Sequence, residues 1–334
     1  MTDPEKLAAA RAALEELGVT VADLAAEPAA TVVPTVAEYL PRVLGAAGPG
    51  ARRTYGSYWA RMAEAWGTRR LTEILASDVE ALQREVRANA LVRRNGRDGR
   101  HAGEHLIAAA RAFFLRAIAD GYIDRDKSPA HLVAKPRRLP SCRRALKALE
   151  LEQIHLVART TGNDVVLDAL MLRLHTETAC RRGGALKLRL MDLDTHRGLV
   201  RLREKGETVR WQPISLDLAT RLAEHAQVRG GAIPTDSVLR YRNGSALTSR
   251  RYDNLWHRIG VQLPWVAAQG ISTHWLRHTT LTWIERHFGY GIARAYAGHT
   301  DSQGAATTTY IKADLQAVAG ALAAMTGQPH PLAG

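Results

Sequence analysis

The sequence predicts a mainly α-helical protein with one small antiparallel β-sheet, laid out as a helical bundle followed by a mixed α/β domain. Apolar residues recur at helical spacing through most of the chain. Strict apolar/polar alternation is confined to Val200–Arg203 and Val209–Gln212, which flank Glu204-Lys205-Gly206-Glu207 and so read as a hairpin. At 334 residues the chain is long for one compact domain, and a stretch rich in proline and arginine interrupts it near residue 140. Only three phenylalanines occur, while Ala, Leu and Arg are plentiful, which also favours helices.

Hydrophobic residues make up 46% of the chain, enough for a sizeable core. Lys and Arg outnumber Asp and Glu by 46 to 33, a formal charge of +13. Such an excess suits a polyanion, since neutralising phosphates releases condensed counterions. An anionic membrane surface or simple solubility would also account for the charge. Cys142 and Cys180 form no paired-spacing motif. No apolar run reaches membrane-spanning length, and the first residues lack a basic-then-apolar signal layout. The chain is therefore read as soluble and cytoplasmic, with no membrane partner.

Residues 1–34 are expected to form a helical arm. Asp3 and Pro4 open an amphipathic helix over 3–17 that Gly18 ends; a second piece follows at 21–26, and Pro28 and Pro34 break the pattern. The arm suits contact with DNA, contact with another subunit, or a structural cap. Residues 35–134 carry four helical stripes: Val36, Tyr39, Leu40, Val43; then Tyr55, Tyr58, Trp59, Met62, Trp66; then Val79, Leu82, Val86, after a capping-box spacing at Ser77 and Glu80; and last Leu106 to Ile118. Short links between them predict a bundle. Between the third and fourth lies Arg93-Arg94-Asn95-Gly96-Arg97-Asp98-Gly99-Arg100-His101, a basic, glycine-spaced loop suited to tracking phosphates, or else a solvated surface loop.

Residues 135–147, with Lys135, Pro136, Arg137, Arg138, Pro140, Arg143 and Arg144, read as a basic linker. A second domain is expected over 148–325, with a tail at 326–334. Helical stripes resume at 150–159 and 165–177, the hairpin follows, and two further helices at 216–228 and 249–261 build walls. The Arg250-Arg251-Tyr252 cluster on the latter is a candidate phosphate contact. A last helical stripe, Leu315, Val318, Leu322, Met325, suits either packing on its own domain or docking on a neighbouring subunit.

Chemistry concentrates between Ser272 and Ala313. His274 and Arg277 stand at i, i+3 spacing, Gly298-His299 follows, and Tyr310 comes after three threonines. Splitting a phosphodiester by nucleophilic attack needs cations and N–H donors at the non-bridging oxygens, a nucleophile, and a proton source for the leaving alkoxide. The stretch resembles the C-terminal signature of the tyrosine recombinase (phage integrase) family, in which HxxR, GH and Tyr occur in this order. Upstream, Thr178-Ala179-Cys180-Arg181, with Leu188 and Asp192 beyond, is similar to the family's Thr-Gly-x-Arg box. Gly184 stands where the family often carries Glu. Lys205, at the hairpin tip, matches the family's catalytic lysine, although a Lys-Gly turn is common in any hairpin. Tyr290 and Tyr296 are rival tyrosines, but only Tyr310 falls at the family's position. The interval from His299 to Tyr310 is slightly longer than the common pattern.

The resemblance implies a core-binding domain and a catalytic domain clamped on duplex DNA. Arg181, Arg277 and His299 would hold the scissile phosphate, with His274 as general base toward Tyr310 and Lys205 as general acid toward the 5′ oxygen. It also implies a 3′-phosphotyrosyl intermediate, no cofactor and no metal, a homotetramer on paired sites that is a monomer or dimer off DNA, accessory DNA-bending proteins, and a bacterial or mobile-element setting. Arg93, Arg94, Arg97, Arg100, Lys135, Arg137 and Arg138 are the expected additional DNA contacts. The rival expectations are a non-catalytic DNA-binding accessory protein of the same fold and, within the same chemistry, a type IB topoisomerase-like or telomere-resolving enzyme.

Overall fold

A computed structural model describes residues 3–20, 32–90, 99–135, 143–203, 209–298 and 315–334. The chain divides into two compact units, Met1–Leu139 and Pro140–Gly334.

In the first unit, α1 (Pro4–Glu16) is a mostly exposed helix. The expected second piece at 21–26 lies outside the described residues. The bundle proper comprises α2 (Val36–Ala46), α3 (Pro49–Trp66), α4 (Ala76–Ala88), α5 (Arg100–Ala119) and the short α6 (Pro129–Leu132). Thr35 and Glu38 form a reciprocal cap at the start of α2: the Thr35 hydroxyl accepts the Glu38 N–H at 3.3 Å, and the Glu38 carboxylate accepts the Thr35 N–H at 2.8 Å. The box expected at Ser77 and Glu80 does not form. Helix α4 begins two residues earlier than that box requires, and Asp78 accepts the Leu75 N–H at 2.8 Å. Asp78 also takes Arg69 at 2.8 Å, so one carboxylate closes the helix end and ties down the preceding loop.

The bundle core is aromatic at its centre. Tyr39, Trp59, Phe113 and Phe114 are buried, and Tyr39 meets Phe113 edge-on at 5.5 Å between ring centres. Each polar tip finds a partner: the Trp59 indole donates to the Ala109 carbonyl at 2.9 Å, and the Tyr39 hydroxyl donates to Asp120 at 2.7 Å. These bonds remove the cost of burying a donor and fix the depth at which each ring sits.

The second unit is organised around α8 (Val165–Thr178), which is buried on nearly every side. Helices α7 (Ala148–Thr160), α10 (Leu216–Val228) and α13 (Thr273–Ala297) pack on it. After the short α9 (Arg182–Leu186), strands β1 (Leu193–Asp194), β2 (Leu199–Arg203) and β3 (Val209–Pro213) make an antiparallel sheet in that order. Leu202 faces Arg210 and Arg201 faces Trp211 across the hairpin. Strand β1 has no periodicity to betray it, being two residues long. Asp192, fully buried just before it, takes ion pairs from Arg201 at 2.8 Å and from Arg203.

Helices α11 (Ser249–Gln262) and α12 (Pro264–Gln269) complete the wall. Here one expectation is corrected. Arg251 does not face outward: it is buried, and it donates to Asp168 at 2.7 Å and to Asn163 at 2.7 Å. Tyr252 is buried too, its hydroxyl 2.9 Å from His175 Nε2. Of that cluster only Arg250 is exposed. The reason is the helix period, which turns 251, 252, 255 and 259 toward the core together. The last helix, α14 (Leu315–Thr326), packs on its own domain, with Val318, Ala321 and Leu322 against Ile284, Ala293 and Tyr296. Among the described residues no helix is long and apolar enough to cross a membrane.

Two histidines in this unit carry a cost in acid. Burial, then the nearby Arg229, pushes the His225 imidazole down to about 4 from 6.5, and burial followed by Arg159 and Arg173 does the same to His155. Their folded values lie below the unfolded one, so the unfolded chain takes up protons first. Their stabilising effect is complete above about pH 6.5 and is lost as pH falls toward 4. Urea unfolding followed across this window should show stability falling by about 1–3 kcal/mol per histidine, and His225→Gln should flatten the slope.

Candidate active site

Two helix ends meet at the site. Helix α8 leaves through Ala179 at φ 51, the one non-glycine residue with positive φ among those described, and α13 leaves through Gly298 at φ 66. Both are left-handed helix endings, the conformation that lets a chain turn sharply away from its last helical turn. Alanine there costs about 1–2 kcal/mol relative to a relaxed backbone. It occupies the glycine place of the Thr-Gly-x-Arg turn.

A helix C-terminus presents unpaired carbonyls and a partial negative charge, so two such ends repel one another and would repel a phosphate. Arg277 resolves this. Its guanidinium donates from Nη1 to the Ala179 carbonyl and from Nη2 to the Ala297 carbonyl, the latter at 2.8 Å, and it is 5% exposed. Arg210 on β3 reaches the same place from the sheet, donating from Nη2 to the Thr178 carbonyl at 3.3 Å and from Nη1 to the Gln212 side chain. The Tyr296 hydroxyl donates to the Glu177 carbonyl. Three side chains from α13 and β3 thus satisfy three successive carbonyls at the end of α8.

Arg181 follows two residues after Ala179, at the N-cap position of α9, where its carbonyl accepts the N–H groups of Gly184 at 2.9 Å and Ala185 at 3.2 Å. Position 184 therefore serves this turn through its backbone. His274, in the first turn of α13, shares with Arg181 a cleft of about 410 Å³ that is also lined by Arg182, Tyr252, Trp256 and Thr273. Burial lowers the His274 imidazole below its ordinary value, and the charges of Arg143, Arg277, Arg181 and His278 lower it further. Burial first, and these charges after it, disfavour the protonated ring and leave a lone pair available to accept a proton.

The structure therefore brings Arg181, His274 and Arg277 together, and the charge of Arg143, which the sequence places only in the linker, also acts on the His274 imidazole. Lys205, His299 and Tyr310 lie outside the described residues, as do Arg93, Arg94, Arg97, Arg137 and Arg138. Arg100 and Lys135 are exposed. Gly99, just before Arg100, has φ 74, and a Cβ there would collide with the Arg87 carbonyl; this glycine serves the chain's own packing.

Of the rival tyrosines, Tyr296 is fully buried and its phenol is pushed well above the usual range, first by burial. Tyr290 is 55% exposed and lies against Arg294, 3.3 Å from its guanidinium. His278 bonds Thr282 at 3.1 Å, and Arg182 pairs with Asp253 at 3.4 Å. Among the described residues no group of three His, Cys, Asp or Glu side chains is gathered as a metal site.

The phage integrase family model matches residues 144–316, just over half of the chain, including Arg181, His274 and Arg277. The chain belongs to the phage integrase family, the tyrosine recombinases. Tyrosine recombinase XerC of Azotobacter vinelandii is 30% identical over 235 residues, covering 68% of this chain and 73% of that protein. XerC of Roseiflexus castenholzii is 23% identical over 244 residues, covering 71% and 72%. Among solved structures, a lambda integrase tetramer bound to a Holliday junction superposes with a TM-score of 0.60 at 16% identity, covering 91% of this chain and 90% of that one. The Tn1549 transposon integrase in complex with circular intermediate DNA gives 0.62 at 15% identity, covering 84% and 96%. These likenesses show that the recombinase fold extends through both units.

The partners of the rival tyrosines separate structure from chemistry. Tyr296→Phe should lower stability by about 1–3 kcal/mol, because a buried carbonyl loses its donor, while covalent DNA adducts still form. Tyr290→Phe, at the surface, should change stability by less than about 0.5 kcal/mol. Denaturant unfolding beside adduct detection on denaturing gels reads both.

Proposed function

We propose that this recombinase cleaves and rejoins duplex DNA at specific sites through a 3′-phosphotyrosyl intermediate, with the cleft between α9 and α13 as the seat of the scissile phosphate. As a tyrosine recombinase it is a site-specific DNA recombinase, and DNA is its partner. The observation that carries the mechanism is the cleft shared by Arg181 and His274, with Arg277 one turn along the same helix; the charges of these arginines and of Arg143 act on the imidazole. Guanidiniums so placed stabilise the charge that builds on a pentacoordinate phosphorus.

In this reading the Tyr310 oxygen attacks phosphorus as His274 takes the phenolic proton. The bond from phosphorus to the 5′ oxygen breaks, and Lys205 gives that oxygen a proton. Arg181, Arg277 and His299 hold the non-bridging oxygens. The ester keeps the bond energy, so a 5′ hydroxyl from another strand reverses the step without a nucleoside triphosphate. Arg93, Arg94, Arg97, Arg100, Lys135, Arg137 and Arg138 add phosphate contacts that position the duplex. The working assembly is a homotetramer on paired sites, aided by accessory DNA-bending proteins. The protein acts in a bacterial cytoplasm on chromosomal or mobile-element DNA.

Denaturing capture of protein–DNA adducts from expressing cells, with sequencing of the attached DNA, identifies the site and yields a nicked substrate. Adducts that vanish in Tyr310→Phe are the expected result; binding without any adduct would identify a non-catalytic DNA-binding protein. Single-turnover cleavage should fall on acidification below the ordinary imidazole range, as His274 gains its proton. His274→Gln should slow cleavage about 100-fold or more and remove that acid limb.

A further inference from the structure

We infer that Arg210 is a positioning residue for the cleavage step, acting through Gly298 on the histidine that follows it. This inference rests on the recombinase chemistry proposed above and assigns a role to a residue outside the family's matched motif positions.

Arg210 stands on β3, five residues after Lys205 in the same hairpin, facing Leu202 across the sheet. Its side chain runs inward and touches two segments at once. Its guanidinium donates to the Thr178 carbonyl at 3.3 Å, three residues before Arg181. Its Cδ and Nε lie against Gly298 so closely that a Cβ on that residue would overlap both. Gln212 holds the fork by accepting from Nη1, and Gln212 is itself 1% exposed. The neighbouring Tyr296, fully buried, feels the Arg210 charge.

Arg210 and Arg277 therefore bridge the same two backbone segments. Arg277 ties the Ala179 carbonyl to the Ala297 carbonyl, and Arg210, one residue along on each strand of chain, ties the Thr178 carbonyl to Gly298. Arg277 fixes the spacing of the two helix ends. Arg210 fills the place a side chain at position 298 would take, and it sets the left-handed turn through which the chain leaves α13. The φ and ψ of Gly298 set the direction in which the chain leaves α13. A planar fork with several donors can hold this arrangement; an ammonium cannot match its geometry.

Arg210→Ala is expected to slow single-turnover adduct formation on the nicked substrate about 100-fold, the scale on which a small misplacement costs rate, while DNA affinity stays near that of the parent protein and the unfolding midpoint falls no further than in Tyr296→Phe, which likewise removes a donor from a buried carbonyl. Arg210→Lys should keep the charge and recover only part of the rate. In a His299→Ala background, Arg210→Ala should cost nothing further, because both changes then remove the same interaction. Gly298→Ala should reproduce the Arg210→Ala defect. Losses that multiply with His299→Ala would overturn the inference. So would recovery of Arg210→Ala on a substrate with sulfur in place of the bridging 5′ oxygen. That leaving group needs no proton donor, so recovery would assign the effect to the Lys205 hairpin. Should Arg210→Ala lose DNA binding or fold, the same crosses with Arg210→Lys decide the matter, and full activity of that variant would also overturn it. Absence of adducts from the parent protein would instead refute the cleavage chemistry itself.

Discussion

The Arg277 guanidinium between the carbonyls of Ala179 and Ala297 is the contact on which the site depends. Two helices point their negative ends at one place, and left alone those ends would hold apart both each other and any phosphate. A buried cation bonded to both turns the repulsion into a joint. It also explains why an arginine is needed and a lysine would not serve: the two carbonyls are met by different nitrogens of one planar group. The cation of the HxxR motif is thus a structural member of the domain before any substrate arrives.

The second unit is stiffened around this joint by carboxylates set under the surface. Asp168 takes Arg251 and Arg258, Asp192 takes Arg201 and Arg203, and Glu177 takes Arg173 together with the N–H and hydroxyl of Ser215. Asp168 joins two helices far apart in sequence, Asp192 ties β2 to the turn before β1, and Glu177 ties α8 to the start of α10; each buried acid has at least two partners, which is the condition for tolerating a charge out of water. These pairs consume many of the chain's arginines. Arg181 lies in the cleft with His274, and its charge, with those of Arg143 and Arg277, acts on that imidazole.

Electrostatics and backbone geometry act on the same few residues. Burial first, and then the cations that would hold a phosphate, disfavour the protonated form of His274, so one arrangement supplies both an anion seat and a proton acceptor. The left-handed residue that ends α8 places the next functional position, Arg181, two residues beyond it. Ala179 bears the strain of this conformation with its N–H on the His175 carbonyl at 3.0 Å and its own carbonyl on Arg277. Local strain here is held by bonds to the element that carries the chemistry.

The sequence determined by itself the helical character of the chain, the hairpin and the order of the motif residues. Each of these is written in local periodicity, turn chemistry or spacing, which tertiary packing left intact. The capping residue of α4 and the inward turn of Arg251 were less legible, because a cap depends on where a helix starts and a cluster of charges says nothing of which face it occupies. Only the folded structure decided that Arg143 joins the site, that Tyr296 is a buried donor, and that Arg210 and Arg277 brace the same pair of helix ends. Those facts concern residues dozens to more than a hundred positions apart that meet solely because α8, β3 and α13 pack together. No pattern along the chain records a distance between helices.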